Sequence, residues 1–364
     1  MDFVETLLCD IKQQKDNWRD LLDRISSASS IVIWGTGVAA ELVYENLSKM
    51  KINISVFSDN DKKKWNTIYK GLKIISPEEI TKDSLIIICA NFEYNIHHQL
   101  NKIGINNYIY IDPAYFYADS RDLVIKKITQ NFEKVNKVYN LLADEHSKYV
   151  FRNVLLHRAV YDIRLIWDVY DENQYFGNDI VKEIKGNFLD CGAFNGDTLR
   201  RYLKQAGDAI YEYFAIEANE NNFSALTNFC KINHLSNVQC FNLGVWNENG
   251  EMCFSTGNYA ESGRLVNKNS NDKKIVLETI DHIVSGKAVD IITMDIEGSE
   301  LKALEGAYQT IQKYKPILAI SAYHQLEDLW EIPLMIKKIN SGYNIYYAHH
   351  CWNMNDTVCY AKEG

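Results

Sequence analysis

Two glycine-rich turns, each lying between a short apolar run and an amphipathic run, constrain the fold of this chain more than any other feature. The first is in IVIWGTGVAAE (31–41) and the second is in FLDCGAFNGDT (188–198). In a doubly wound α/β sheet, such a turn joins a buried parallel strand to the next helix, and ligands bind beyond the carboxyl ends of the strands. The pattern therefore predicts two α/β units in one chain, and it leaves open which turn holds the molecule that reacts.

Strand-like and helix-like runs alternate on both sides of a long helical stretch, and this order predicts three segments. Residues 1–118 are predicted to form a small Rossmann-like accessory domain with about four parallel strands. Residues 119–186 are predicted to be a helical connector, because the stretch 122–176 contains no glycine or proline. Residues 187–364 are predicted to form a doubly wound parallel sheet that ends in an antiparallel hairpin.

The composition argues against several classes of partner and location. The net charge of −9 and the lack of a long basic run argue against binding to nucleic acid. No apolar stretch approaches the roughly 20 residues that span a membrane. The N-terminus also lacks the charged and apolar regions of a signal peptide. The eight cysteines include no C-x-x-C pair, which indicates reduced thiols and predicts a cytoplasmic protein.

The second turn has the residues expected around a ligand that carries hydroxyl and charged groups. Asp190 ends the predicted strand, Gly192 lies in the tight turn, and Gly196 follows where a side chain would obstruct a ligand. An acidic residue at the strand end suits hydroxyl, ammonium or sulfonium groups better than a pyrophosphate. Glu217 ends the next strand about 20 residues after the turn, the usual place for a ribose-binding carboxylate.

Two long motifs further along make the second unit more specific. They are MDIEGSELKALEGA (294–307) and KPILAISAYHQLEDLWEIP (315–333), followed by an HH…DTVCYA ending and preceded by DENQYF. Together they resemble the FkbM family of S-adenosylmethionine-dependent methyltransferases, over roughly residues 171–361. The resemblance implies a class I methyltransferase fold that binds S-adenosylmethionine and transfers its methyl group to an acceptor, usually a hydroxyl.

The resemblance also implies which residues hold this cofactor. Residues of the second turn would line its methionine half, the carboxylate after the second strand would hold the ribose, and the loop after the third strand would lie near the adenine. The aromatic pair Tyr175 and Phe176 would close over the cofactor, or alternatively would only pack inside the helical segment. The full predicted cofactor set is Tyr175, Phe176, Asp190, Gly192, Ala193, Gly196, Asp197, Thr198, Glu217, Ala218, Asn219, Gly244, Val245 and Trp246.

Three polar residues are the predicted catalytic group. In the class I strand order the first, fourth and fifth strands are neighbours, so Asp295, Glu297 and His324 would face the sulfonium. A histidine with its usual pKa near 6.5 is suited to remove a proton from a hydroxyl, so His324 is the predicted base and Asp295 orients it or the acceptor. Two alternatives stay open. The same three residues could hold Mg²⁺ or another divalent ion, and Glu297 could simply lie in the first turn of a helix.

The acceptor is predicted less directly. Tyr323, His349 and His350 are the predicted substrate-binding residues, and the alternative for the two histidines is packing within the last hairpin. Ala348 stands where the resemblance would lead us to expect an arginine. The family and the accessory domain imply a small-molecule or glycan acceptor. The predicted function is O-methylation of a carbohydrate or nucleotide-linked glycan precursor, in surface polysaccharide biosynthesis.

The first glycine turn has two interpretations of its own. It matches G-x-G-x-x-A between a strand and a helix, and Asp59 ends the next strand, as in a dinucleotide site. It would then bind a nucleotide or nucleotide-linked acceptor, or else serve as a packing and homodimerisation unit. A competing function for the whole chain is an NAD-dependent oxidoreductase or epimerase acting on a nucleotide sugar through residues 31–112, but no catalytic set accompanies this turn. A non-catalytic binding module does not fit the complete motif set of the second unit.

Overall fold

The computed structural model describes residues 2–89, 93–206, 211–255, 264–266 and 273–364. Its strands form three sheets, of six, four and seven strands. Within the described residues, no helix is both long and apolar enough to cross a membrane. The elements of the first 110 residues, in chain order, are α1 (Phe3–Gln13), α2 (Asn17–Ser27), β1 (Ile31–Trp34), α3 (Val38–Lys49), β2 (Val56–Ser58), β3 (Ile68–Tyr69), β4 (Leu72–Ile75), β5 (Leu85–Ile88), α4 (Glu93–Lys102) and β6 (Tyr108–Tyr110).

The N-terminal sheet has the order β3-β4-β2-β1-β5-β6 and is larger than predicted. Five of its strands are parallel, and the two-residue β3 pairs antiparallel with β4 at one edge. Side chains alternate between two separate apolar clusters, with Ile31 and Ile33 in one and Val32 and Trp34 in the other. Both faces are therefore covered, as in other parallel sheets of α/β proteins.

The first helix does not pack with this sheet, although the sequence places it in segment 1–118. Val4, Leu7 and Ile11 of α1 are buried in the same apolar cluster as the C-terminal sheet. It is α2 that covers the N-terminal sheet, through Ile25. The first helix therefore belongs to the second core.

The connector was predicted to be helical over 119–186; it is helical over Arg121–Trp167 and contains no helix over the described residues 168–186. Its helices form a layer on the C-terminal sheet. Its helices are α5 (Arg121–Gln130), α6 (Phe132–Leu141), α7 (Glu145–Val160) and α8 (Arg164–Trp167). Helix α7 carries ten buried residues, several of them in the cluster that packs on that sheet. The connector therefore contributes directly to the core of the C-terminal unit.

The C-terminal sheet has the order β16-β17-β15-β14-β7-β8-β9, which confirms the predicted doubly wound sheet with a terminal hairpin. Strand β17 runs antiparallel to both of its neighbours. Its first residue therefore lies at the edge where the parallel strands end. The elements of this unit are β7 (Phe188–Cys191), α9 (Asp197–Ala206), β8 (Tyr213–Ile216), α10 (Glu220–Ile232), β9 (Val238–Phe241), β10 (Gly244–Val245), β11 (Gly250–Ser255), β12 (Arg264–Val266), β13 (Lys273–Glu278), α11 (Ile280–Val284), β14 (Ile291–Met294), α12 (Glu300–Glu305), α13 (Tyr308–Tyr314), β15 (Ile317–Ser321), α14 (Asp328–Ile339), β16 (Tyr343–His349) and β17 (Thr357–Glu363).

A small four-stranded sheet, β10-β13-β11-β12, was not predicted as a separate element. It follows β9, and its strands β11 and β13 form an antiparallel pair. Side chains of Ile275, Leu277 and Trp246 pack together on it. Its short strands do not fit the strand–helix alternation from which the rest of the unit was predicted.

The N-terminal unit docks on the loop between β16 and β17. The backbone N–H of Met354 in that loop donates to Asp112 Oδ2 at 3.1 Å. The half-buried Arg158 of α7 donates to the carbonyl of Tyr323 at 2.6 Å and to that of Met354 at 3.3 Å. Tyr115, Tyr161 and Met354 form a shared apolar cluster beside these bonds. This loop is thus held by both units, and α7 also holds Tyr323, which follows β15.

Candidate active site

A cleft of about 380 Å³ opens at the carboxyl edge of the C-terminal sheet. Its volume lies within the range of small-molecule sites. The lining comes from the turns after β7, β8 and β14, from the loop after β9, from α9, and from the segments before β7 and β17. The lining residues are Gln174, Tyr175, Gly192, Phe194, Asp197, Thr198, Arg201, Ile216, Glu217, Ala218, Asn222, Leu243, Gly244, Val245, Asp295, Ile296, Glu297, Ser299 and Asp356.

The cleft exists because the turns after β7 and β14 touch without a side chain between them. Gly192 has a φ of +87°, and a Cβ built on it would lie 1.9 Å from the carbonyl oxygen of Asp295. Only glycine fits this close approach. Gly196 also has a positive φ, but it faces Leu226 and does not line the cleft. Phe194, between the two glycines, does line it, and the sequence analysis did not predict this.

Asp190 does not reach the cleft, contrary to its predicted contact with a cofactor. Its buried carboxylate accepts hydrogen bonds from Tyr213 Oη at 2.7 Å and Thr293 Oγ1 at 2.9 Å. Burial is the main reason that the pKa of Asp190 is raised, to about 7. The residue therefore links β7 to its two neighbouring strands within the sheet.

Glu217 lies in the cleft where the sequence predicts a ribose-binding carboxylate. Its two oxygens accept the backbone N–H groups of Phe194 at 2.9 Å and Asn219 at 2.6 Å. Burial raises the pKa of this carboxyl above its usual value. Asn219 itself caps α10 by accepting the backbone N–H groups of Asn221 and Asn222. Asn219 was predicted to contact the cofactor but does not line the cleft, whereas Asn222 does.

Several other predicted cofactor residues lie in the cleft and several do not. Those in the cleft, besides Gly192 and Glu217, are Tyr175, Asp197, Thr198, Ala218, Gly244 and Val245. Phe176 is buried and packs against the ring of Phe188, with centroids 6.1 Å apart at 80°. Ala193 is fully buried, and Trp246 packs on the small sheet. Packing therefore explains Phe176, while Tyr175 alone of the aromatic pair faces the cleft.

The predicted catalytic group comes together as an ion cluster, with one member that the sequence analysis left out. His324 Nε2 lies 3.3 Å from Asp295 Oδ1 and 3.5 Å from Glu297 Oε2. His324 Nδ1 lies 3.2 Å from Oε1 of the buried Glu300. Tyr323 Oη donates to Asp295 Oδ1 at 3.0 Å. Asp295 and Glu297 face the cleft, whereas Glu300, Tyr323 and His324 lie behind them.

The pKa near 6.5 assumed for His324 does not hold in this cluster. Burial by itself would lower the pKa of His324, but the carboxylates of Glu300 and Asp295 raise it well above its usual value. The surrounding carboxylates therefore favour the imidazolium form of the ring, with a proton on both nitrogens. An imidazolium cannot accept the proton of a hydroxyl, so the predicted role of His324 as base does not fit this environment.

The same cluster is the candidate metal site. Ligand atoms of Asp295, Glu300 and His324 lie within 4.8 Å of one another, close enough to share one ion. Carboxylate oxygens and an imidazole are suitable ligands for several divalent ions. A metal requires the unprotonated ring, however, and the three surrounding carboxylates favour the protonated one. Ion and proton would therefore compete for His324.

His349 and His350 were predicted to bind substrate, and both instead hold the terminal hairpin in place. The ring of His349 contacts Thr357 Oγ1 and the carbonyl of Asn353, each at 2.8 Å, and burial lowers its pKa to about 3. The ring of His350 contacts the carbonyl of Asp171 and Tyr360 Oη, also at 2.8 Å. Neither residue lines the cleft.

Two charged residues of the cleft were missed by the sequence analysis. Asp356 directly precedes β17 in a left-handed conformation, with a φ of 57°. Burial and the nearby carboxylate of Asp295 raise the pKa of Asp356 to about 7. Arg201 lies one helical turn after Asp197, and its Nη1 donates to Gln174 Oε1 at 2.9 Å. The four-residue spacing from Asp197 is a signal that could have indicated Arg201.

At the first glycine turn, the strand-end carboxylate already has partners from within the chain. Asp59 Oδ2 accepts Thr36 Oγ1 at 2.5 Å and Lys64 Nζ at 2.9 Å. Lys64 Nζ also donates to Thr36 Oγ1, and the indole of Trp65 donates to the carbonyl of Asp59. This network occupies the group that a dinucleotide ribose would need.

Comparisons with known proteins agree with the two-part architecture. Residues 190–345 match the model of the methyltransferase FkbM domain, and residues 27–111 match the model described as C2185-like, N-terminal. The crystal structure of methyltransferase FkbM from Methylobacillus flagellatus KT is similar over 98% of both chains, with 22% identity and a TM-score of 0.71. A SAM-dependent methyltransferase from Aquifex aeolicus is similar over 50% of this chain and 84% of its own, with 16% identity and a TM-score of 0.30. No curated protein matches the chain.

Proposed function

Since this chain carries an FkbM methyltransferase domain and is an S-adenosylmethionine-dependent methyltransferase, we propose that it methylates a hydroxyl of a carbohydrate or nucleotide-linked glycan precursor. The observation that carries the proposal is the polar wall that Gln174, Asp295 and Asp356 contribute to the lining of the cleft. Such a wall can hydrogen-bond several hydroxyls at once. Synthesis of a surface polysaccharide is the setting that would use such a product.

The residues present in the cleft fit the cofactor. A Cβ at Gly192 would fill the approach between the turns after β7 and β14. The carboxylate of Glu217 lines the cleft and could accept hydrogen bonds from the ribose hydroxyls. Gly244 and Val245 add an apolar part of the lining that suits the adenine ring. When bound, S-adenosylmethionine supplies a methyl group activated by the sulfonium.

Asp356 is the proposed proton acceptor for the hydroxyl. It lies in the cleft, at the edge where the parallel strands end, together with Asp295. A carboxyl whose pKa is raised to about 7 takes up a proton near neutral pH far better than an ordinary aspartate. His324 then acts as a positioning residue, because its positive ring holds Asp295 and Glu297 toward the cleft.

The N-terminal unit has a supporting role in this proposal. Its Asp112 fixes the loop that leads to Asp356, through the backbone of Met354. The pairing of Asp59 with Lys64 favours a packing role for the first glycine turn over a dinucleotide site. An oxidoreductase or epimerase acting through that turn receives no support.

The test is an acceptor screen with isotopically labelled S-adenosylmethionine. Nucleotide sugars, free sugars and sugar amines are incubated with the protein, and the products are analysed by mass spectrometry and NMR. We expect a methyl ether on a sugar hydroxyl, with label transferred in proportion to the S-adenosylhomocysteine formed. Methylation of the amines alone would contradict the proposal, and the heat-inactivated protein serves as the blank.

Removal of divalent ions is expected to leave methyl transfer within about twofold of its original rate, because the protonated ring of His324 already balances the carboxylates that a metal would bind. The measurement is the initial rate after dialysis against EDTA, compared with the same protein given back Mg²⁺ or Mn²⁺. Activity that is lost in EDTA and restored by one of these ions would instead identify Asp295, Glu300 and His324 as metal ligands.

A further inference from the structure

We infer that Arg201 binds the carboxylate of the methionine part of S-adenosylmethionine. The charges of the cleft point to this residue. Five lining side chains are acidic, namely Asp197, Glu217, Asp295, Glu297 and Asp356, and Arg201 is the only lysine or arginine among the lining residues. The cofactor carries an ammonium, a sulfonium and ribose hydroxyls, which suit carboxylates, and a single carboxylate, which suits the guanidinium.

The position of Arg201 agrees with this assignment. It lies on α9, which begins directly after the glycine turn, and it shares a helix face with Asp197 four residues earlier. Nη1 donates to Gln174 Oε1 at 2.9 Å, which orients the guanidinium. Gln174 and Arg201 therefore meet at the end of the cleft that also holds Tyr175.

The guanidinium has donors to spare. Among the residues that the structure describes, no carboxylate is in ion-pair contact with Arg201. An arginine has five N–H donors in a planar fork, and the bond to Gln174 uses one. The others suffice for a two-bond contact with a carboxylate, a geometry that lysine cannot reproduce.

The adjacent residue provides a matched control. Arg200 Nη1 donates to the carbonyl and to Oδ1 of Asn195, both at 3.0 Å. Its guanidinium lies 4.2 Å from the ring centroid of Phe229, and it does not line the cleft. Changing Arg200 therefore removes the same charge from the same helix without touching the cofactor site.

The experiment compares two ligands by isothermal titration with the full-length protein. S-adenosylhomocysteine contains the carboxylate, whereas 5′-methylthioadenosine lacks the whole amino acid part. In Arg201→Gln we expect the affinity for S-adenosylhomocysteine to fall about 10- to 100-fold, because a charge-assisted hydrogen-bonded pair is lost. The affinity for 5′-methylthioadenosine should stay unchanged, and Arg200→Gln should bind both ligands like the original protein.

Two results would overturn the inference. Equal losses of affinity for both ligands in Arg201→Gln would mean general damage to the cleft. An unchanged affinity for S-adenosylhomocysteine, with a raised KM for the acceptor or a shifted pH profile, would assign Arg201 to the acceptor or to Asp356. Because no acceptor is needed for the titration, the outcome does not depend on the proposed O-methylation.

Discussion

Asp356→Asn is expected to lower kcat about 10²- to 10⁴-fold, the usual contribution of a positioned base. The amide has nearly the same shape as the carboxyl but cannot take up the acceptor proton. Binding of S-adenosylhomocysteine should be nearly unaffected, since the change removes an interaction with the acceptor hydroxyl. Single-turnover rates together with titration of S-adenosylhomocysteine measure the two effects separately.

The pH dependence gives a second readout of the same residue. The pKa of Asp356 is raised to about 7, and only its deprotonated form accepts a proton, so kcat should rise with pH through this range. In Asp356→Asn that rise should disappear. If Asp356→Asn kept its activity and His324→Gln lost it, the assignment of Asp356 would be wrong, and the base predicted from the sequence would be restored.

Stability should move in the opposite direction. Because the folded pKa of Asp356 is raised above its ordinary value of 3.8, the folded state binds more protons than the unfolded state between these limits. The free energy of unfolding contributed by this group therefore falls as pH rises from about 3.8 to about 7, and it levels off above that range. At pH 8 the buried carboxyl of Asp356 is ionised, and this lowers the free energy of unfolding. The neutral amide of Asp356→Asn avoids this cost, so we expect the variant to have a higher Tm than the original protein at pH 8. A less active but more stable variant is typical of a residue kept for catalysis.

The sequence predicted the C-terminal sheet well because local patterns determine it. Alternating apolar runs and glycine turns predicted the strands, and the resemblance to the FkbM family implied their order. The motifs around Asp295 and Glu297 placed both residues in the cleft. The direction of a single side chain was harder to predict. Asp190 ends a strand, as expected, but the hydroxyls of Tyr213 and Thr293 on neighbouring strands draw it into the sheet. The sequence around Asp190 does not show which side chains of the neighbouring strands will contact it.

The residues that were missed or misassigned depend on contacts between distant parts of the chain. Asp356 enters the cleft because β17 reverses direction and begins where the parallel strands end. His349 and His350 were predicted to bind substrate from their place on the last hairpin, yet their rings bond to carbonyls and hydroxyls of the chain itself. The charge state of His324 depends on the carboxylate of Glu300, which the sequence did not place beside it. Such a charge state can be predicted only when the positions of the surrounding carboxylates in the folded chain are known.

Gly192→Ala is expected to abolish measurable binding of S-adenosylhomocysteine and to lower the free energy of unfolding by about 3 to 5 kcal/mol. Two costs combine at this position. An alanine would adopt a φ of +87° and would press its Cβ to 1.9 Å from the carbonyl oxygen of Asp295. The turns after β7 and β14 would have to separate, although Asp295 N donates to the carbonyl of Cys191 at 2.9 Å.

Gly286 separates these two costs, because it shares the backbone conformation but not the crowding. Its φ is +80°, and a Cβ built there meets nothing within 4 Å. Gly286→Ala should therefore lose only the strain of the left-handed conformation, about 1 to 2 kcal/mol, and should keep full affinity for S-adenosylhomocysteine. Denaturant unfolding and titration of both variants provide the measurement. Equal losses of stability in the two variants, with binding retained in Gly192→Ala, would mean that the two turns can move apart and that their contact does not shape the cofactor site.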